Sequence, residues 1–231
     1  LDGTATIASG KLTCADFAGG ATATFGGASF TASARFAAAG ETCGWSSGAA
    51  NVLEVALKDG VIDVGGASVR LSGGGVVSGG KLGCATLSSD VAVPVGGLAF
   101  QVAGRFAARG QTCAWTNGTV TENTFELALS EGRLAVGNVN LALSGAGTVV
   151  GGRLTCAELA AAGGASATVG GIGFELGARY AALGETCTWA DGAVTTGDST
   201  LALALKNGTL TVGAPRLTLS GTAPLDGRTV A

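Results

Sequence analysis

The segment LDGTATIASGKLTC at residues 1–14 returns as LSGGGVVSGGKLGC at 71–84 and as LSGAGTVVGGRLTC at 143–156. A second segment follows each one: ARFAAAGETCGW ends at Trp45, GRFAARGQTCAW at Trp115 and ARYAALGETCTW at Trp189. Two anchors that recur in the same order indicate internal repeats. We therefore divide the chain into a first repeat (1–70), a second repeat (71–142), a third repeat (143–218) and a C-terminal stub (219–231).

The pattern inside each repeat is that of β-structure. In the first repeat Leu53, Val55 and Leu57 alternate with other residues, and Asp59-Gly60 follows. Alternation bounded by such dipeptides is typical of tight hairpins, so a turn is predicted there and at Glu131-Gly132 and Asn207-Gly208. Further hairpin turns are predicted at three Gly-Gly pairs: Gly26-Gly27, Gly96-Gly97 and Gly170-Gly171. Helical signal is confined to short Ala-rich pieces such as 158–162, where we expect one helical turn at most.

The predicted fold class is all-β, with three tandem, disulfide-stapled antiparallel β-sandwich-like repeats. Each repeat is long enough for seven or eight short strands, and no Pro-rich or charged linker separates the repeats. The junctions VRLSGGGVV and LALSGAGTVV instead indicate one strand passing into the next. The alternative is a single pseudo-three-fold β body or a solenoid.

Six cysteines occur at matched positions, which favours three disulfides and an oxidising compartment. Within-repeat pairing is the simplest of the 15 possible connectivities. Each bridge would close a loop of about 30 residues and contribute about 3.6 kcal/mol in the chain-entropy model. The predicted pairs are Cys14–Cys43, Cys84–Cys113 and Cys156–Cys187. A tryptophan two residues after the second cysteine is predicted to pack over each bridge: Trp45, Trp115 and Trp189.

Composition excludes several classes of function. The chain has no histidine, so it holds no His-based catalytic triad or His-ligated metal. Thirteen Lys+Arg against 16 Asp+Glu give a net charge of −3, which disfavours nucleic-acid binding. No apolar run is long enough to span a membrane. The start at Leu1 without Met suggests a signal peptide already removed, and the expected location is extracellular or at the cell surface.

Few residues stand out as a site. Arg35, Arg105 and Arg179 recur and form a weak candidate ligand row, but a cross-strand surface pair is the favoured explanation. The tryptophans could stack on sugars, but their place beside the cysteines favours core packing. No acidic pair or cluster suggests catalysis or calcium binding. We therefore expect no enzyme activity, no metal and no cofactor.

The stub LSGTAPLDGRTVA begins like a fourth repeat and then stops. We expect it to join the sheet of a neighbouring copy by β-strand addition. A head-to-tail contact of this kind that does not close into a ring forms a filament. The predicted function is a secreted structural protein, a homopolymeric subunit of an extracellular filament, surface layer or adhesive matrix. The alternative is a secreted lectin-like module or adhesin for surface glycans. The candidate assembly residues are Leu219, Thr222, Pro224, Leu225 and Val230.

Overall fold

A computed structural model of the chain describes residues 2–44, 51–115, 118–121, 123–136, 139–189, 192–195, 200–212, 215–226 and 229–230. Strands dominate these residues, which confirms the all-β class. The strands before residue 90 are β1 (Asp2–Ala8), β2 (Lys11–Phe25), β3 (Ala28–Ala37), β4 (Val52–Val64), β5 (Ala67–Ser78) and β6 (Lys81–Ser88). The next are β7 (Val93–Val95), β8 (Leu98–Ala107), β9 (Thr112–Trp115), β10 (Gly118–Thr121), β11 (Thr124–Val136) and β12 (Val139–Val150). The last are β13 (Arg153–Ala161), β14 (Ser166–Val169), β15 (Ile172–Ala181), β16 (Thr186–Trp189), β17 (Gly192–Thr195), β18 (Thr200–Thr211), β19 (Arg216–Asp226) and β20 (Thr229–Val230).

Most strands pair in one sheet with the order β1-β2-β3-β4-β5-β6-β8-β11-β12-β13-β15-β18-β19-β20. Neighbours are antiparallel in the recorded registers, apart from one parallel bridge between Asp63 of β4 and Arg153 of β13. The short β7 and β14 pair with β8 and β15, and β9-β10 and β16-β17 form separate hairpins. Each repeat therefore contributes four long strands, which we call its first to fourth strand in chain order.

The sheet continues across the repeat boundaries. Single strands, β5 and β12, span the junctions at 70/71 and 142/143, as the sequence predicts. Contacts between residues divide the chain into two units, which do not follow these boundaries. One comprises Leu1–Ile62, Arg70–Asp90 and Ala103–Glu126, and the other comprises Asp63–Val69, Val91–Val102 and Leu127–Ala231. The division into three sandwich domains stays a prediction.

The Gly-Gly hairpin turns are confirmed. Gly26 and Gly27 have φ of 59° and 81°, and the pairs at 96–97 and 170–171 have matching values. Two successive positive φ angles define the type I′ turn, whose twist suits antiparallel strands and which glycine adopts without strain. The predicted hairpin turns at Asp59-Gly60, Glu131-Gly132 and Asn207-Gly208 are wrong.

The chain does not reverse there, because β4, β11 and β18 each run straight through the dipeptide, and the pairing of β18 with β19 has a bulge at this point. Asp59 has a positive φ of 55°, but Gly60 does not have one, so the strand bends without reversing. A phenylalanine of the third strand occupies the space that a Cβ would need on the glycine. The pairs are Phe30 over Gly60, Phe100 over Gly132 and Phe174 over Gly208.

The helical expectation at 158–162 is also wrong in position. Residues Arg153–Ala161 form the strand β13, and a single 3-10 turn follows at Ala162–Gly164. Gly163 within that turn has a φ of 72°, which interrupts any continuing helix. Pairing of β13 with β12 and β15 therefore overrides the helical preference of the alanines.

Candidate assembly surface

The three disulfides join the predicted pairs, Cys14–Cys43, Cys84–Cys113 and Cys156–Cys187. Beside two of them a small apolar cluster forms, and the half-buried Trp115 or Trp189 packs against it. The Trp115 indole also donates a hydrogen bond to the Thr86 hydroxyl at 2.9 Å. These two tryptophans thus lie beside the bridges as predicted, whereas Trp45 lies outside the described residues.

The arginines of the candidate ligand row lie on the third strand of each repeat. The Arg105 guanidinium lies 5.6 Å from the Trp115 ring centre, and its Nη1 is 3.8 Å from a carboxylate oxygen of Glu126. Both Arg105 and Arg179 are buried, and only Arg35 is half-buried. Two of the three positions are therefore closed to a ligand in solution, and their contacts are those of a packed cation.

Burial and the guanidinium charge act in opposite directions on the pKa of the carboxylates next to these arginines. Burial raises the pKa of the Glu54 carboxyl above its ordinary value, and the nearby Arg35 opposes that rise. Glu126 has its pKa raised in the same way, with Arg105 as the opposing charge. The arrangement repeats because β3 and β8 place each arginine beside a glutamate of the fourth strand.

Consecutive repeats pack through the Gly-Gly turn of one repeat and the fourth strand of the next. The Phe25 ring stacks on Phe106 with 4.4 Å between centroids and meets Phe125 edge-on at 5.3 Å. A Cβ at the adjacent Gly26 would come within 2.6 Å of the Phe125 ring. The glycine is therefore needed for the close approach of the two repeats as well as for its φ of 59°.

The same contact recurs one repeat later. Gly96 and Leu201 occupy the positions that correspond to Gly26 and Phe125, and Leu201 fills the space that a Cβ at Gly96 would take. Val95, which corresponds to Phe25, is completely buried. The contact is thus a property of the repeat and does not depend on the particular apolar side chain.

Each terminal repeat carries one open half of this contact. At the acceptor position Phe125 and Leu201 are each 2% exposed, but the corresponding Leu53 is 41% exposed. At the donor position Phe25 is 7% exposed, but the corresponding Val169 is 52% exposed. No atom of the described residues lies within 4 Å of a Cβ built on Gly170, the position that corresponds to Gly26. We call residues 36 and 53 the acceptor face and residues 169–171 the donor turn.

At other matched positions, too, an apolar residue is exposed in a terminal repeat and buried in another repeat. Ile7 and Leu12 are exposed in the first repeat, whereas the corresponding Val149 and Leu154 are buried in the third. Val212 and Leu217 are exposed in the third repeat, and the corresponding Val64 and Val69 are buried in the first. Repeat arrays that end at a solvent interface commonly carry polar residues there. The apolar residues at both ends are therefore those of interior repeats.

The C-terminal stub lies in β19 and β20. β19 pairs with β18, where Leu219 lies opposite Gly208, Thr222 opposite Ala204 and Pro224 opposite Ala202. Leu225 pairs with Val230 of β20. For Pro224, Leu225 and Val230 only the backbone is described. The stub is therefore part of this chain's own sheet. Among the described residues, the part of β19 at 216–223 pairs on one side only, with β18.

The sequence interpretation missed the acceptor face and the donor turn. A signal for both was present: Leu53 and Val169 align with apolar residues of the interior repeats, and neither terminal repeat substitutes a polar residue. The alternation of apolar residues with other residues in the sequence identified the apolar face of each strand. It did not identify which repeat covers that face.

Among the described residues no group of His, Cys, Asp or Glu could hold a metal ion. None of their helices is long and apolar enough to cross a bilayer. Three disulfides within one chain are typical of proteins in oxidising compartments. Comparison with protein-family models, with curated proteins and with solved structures finds no match.

Proposed function

We propose that this chain is a secreted structural protein whose copies assemble head to tail into an extracellular filament, surface layer or adhesive matrix. The observation that supports the proposal is the number of neighbours with which each first strand pairs. In the interior, β5 and β12 each pair on both sides, with β4 and β6 or with β11 and β13. Among the described residues, β1 pairs with β2 alone, and most of β19 pairs with β18 alone.

The open edge of β19 is a template for another strand, because its unpaired backbone groups can extend the ladder. In the interior repeats the corresponding edge pairs with a second strand, β6 or β13. The equivalent strand in another copy is β2, which that copy's own β1 covers, so the incoming β19 has to displace β1. Pro224 is compatible with this role, since proline is tolerated at sheet edges.

Low charge and the disulfides fit a building block outside the cell. Charged residues make up 13% of the chain, and 47% of its residues are hydrophobic. A protein with so little charge is poorly solubilised as a free monomer, and assembly buries part of its surface.

The test is negative-stain microscopy and light scattering of the oxidised full chain and of a variant lacking residues 219–231. We expect concentration-dependent filaments from the full chain and none from the truncated one. Circular dichroism and a thiol assay establish that the truncated chain keeps its strands and disulfides. A peptide RLTLSGTAPLD, copied from 216–226, should slow growth of the full chain by occupying β2, and a scrambled peptide should not.

Filaments that persist without residues 219–231 and ignore the peptide would refute assembly through β19. A full chain that stays monomeric at every concentration would refute the structural role altogether. In that case binding of the monomer on a glycan array would support the alternative, a lectin-like module or adhesin.

A further inference from the structure

The side chains at the two ends of the repeat array suggest how one copy meets the next, an inference that rests on the head-to-tail assembly proposed above. We propose that the donor turn of one copy, Val169-Gly170-Gly171, docks on the acceptor face of a second copy, formed by Phe36 and Leu53. The junction would then reproduce the contact that already joins the first repeat to the second and the second to the third.

The interior contacts define what the acceptor must offer. Phe25 lies against Phe106 and Phe125, which belong to the third and fourth strands of the following repeat. The residues at those positions in the first repeat are Phe36 and Leu53. Phe36 is half-buried, whereas Phe106 and its third-repeat counterpart Tyr180 are buried. Among the described residues the acceptor face is therefore apolar, placed on the corresponding strands and more exposed than its interior counterparts.

The interior contacts also define the donor. A turn must bring a glycine against the fourth strand, because a side chain at Gly26 would collide with Phe125 and one at Gly96 with Leu201. Position 170 keeps the glycine and its positive φ, 59°, although no described residue would contact a Cβ there. Val169 supplies a branched apolar side chain, as Val95 does at the buried interior position.

Continuity of the interface favours a second copy over an unrelated partner. An unrelated apolar ligand could cover either end alone. It would have no reason to match the acceptor face and the donor turn to the two halves of one internal contact. Charge does not oppose the docking, because the donor turn carries no ionisable residue and the chain's net charge is only −3.

The experiment uses two surface variants, Leu53→Asp and Val169→Asp, in the oxidised full chain. Leu53→Asp keeps the donor turn and loses the acceptor, and Val169→Asp does the reverse. A buried carboxylate without a partner is costly, so we expect each variant alone to stay monomeric. Mixed in equal amounts, they should form dimers that grow no further, because each dimer ends in one blocked donor and one blocked acceptor. Light scattering measures the mass.

A matched control is Val91→Asp, since Val91 is as exposed as Val169 but lies in the second repeat, outside both surfaces. It should assemble like the unmodified protein. The converse variant, Leu53→Phe with Val169→Phe, copies the Phe125 and Phe25 pair. We expect it to lower the critical concentration by about two- to tenfold through aromatic contact.

Three results would overturn the docking. If either aspartate variant assembles alone like the unmodified protein, the junction lies elsewhere while the structural role stands. If the mixture of variants stays monomeric, the two surfaces are not complementary. If the unmodified chain itself never assembles, the docking and the proposed function fail together.

Discussion

The guanidinium of Arg179 lies 4.8 Å from the centre of the Trp189 ring and 3.2 Å from a carboxylate oxygen of Glu158. Lys206 also contacts that carboxylate, so two cations share it. The Arg179 side chain is almost completely buried, whereas Glu158 is partly exposed. A cation removed from water in this way is retained only while its aromatic and anionic neighbours hold it.

Arg179→Met should therefore lower the free energy of unfolding by about 2–4 kcal/mol, because the ion pair and the ring contact are lost together. The retained pair of Lys206 with Glu158 limits the loss. Thermal or urea unfolding followed by circular dichroism measures it. The matched control is Arg35→Met at the corresponding, less buried position, where the loss should be smaller. Equal losses at the two positions would show that burial of Arg179 does not decide its contribution.

Gly132→Ala should cost about 1–3 kcal/mol, since the new methyl group would overlap the Phe100 ring in a packed core. Gly20→Ala is the control, because a Cβ there would contact no described residue and the backbone needs no positive φ. It should leave stability almost unchanged. Adding Phe100→Leu to Gly132→Ala should relieve part of the overlap, so the double variant is more stable than the sum of the single losses indicates. Strict additivity in urea unfolding would contradict the ring-over-glycine contact.

The raised pKa of Glu126 makes part of the stability depend on pH. The folded chain holds this proton to a higher pH than the unfolded chain, whose carboxyl titrates near 4.5. Its contribution is therefore most favourable below that pH and is lost as pH rises through the raised value. Relative to the unmodified protein, Glu126→Gln should become more stable as pH rises from 4 to 7. Urea unfolding at several pH values gives this difference, and Glu41→Gln, which removes an exposed carboxyl, is the control. A difference that stays constant or falls would contradict the raised pKa.

Local chemistry explains what the sequence predicted correctly. A Gly-Gly pair adopts two positive φ angles wherever it lies, so the turn at Gly26-Gly27 needs no knowledge of the rest of the chain. The pairing Cys14–Cys43 follows from the repeats, because each repeat carries two cysteines at matched positions.

Long-range packing explains what the sequence could not supply. Asp-Gly suits either a tight turn or a bend within a strand, and at Asp59-Gly60 the strand β4 continues with the ring of Phe30 packed over Gly60. The burial of Arg179 likewise depends on the neighbours that gather around it in the fold. The first repeat covers Phe125 because of the order in which the strands of the whole sheet pair, and the sequence pattern does not show that order.

The part of the chain that the structure describes holds four first strands, β1, β5, β12 and β19, but three each of the second, third and fourth strands. A junction that keeps the repeat period places β19 beside β2 of the next copy, where that copy's own β1 already lies. The free molecule would therefore carry its own competitive inhibitor of polymerisation. Growth would begin with a lag while β1 peels from β2, and removal of residues 1–8 should shorten that lag. On the proposed head-to-tail assembly, displacement of β1 would therefore be the slow step of growth.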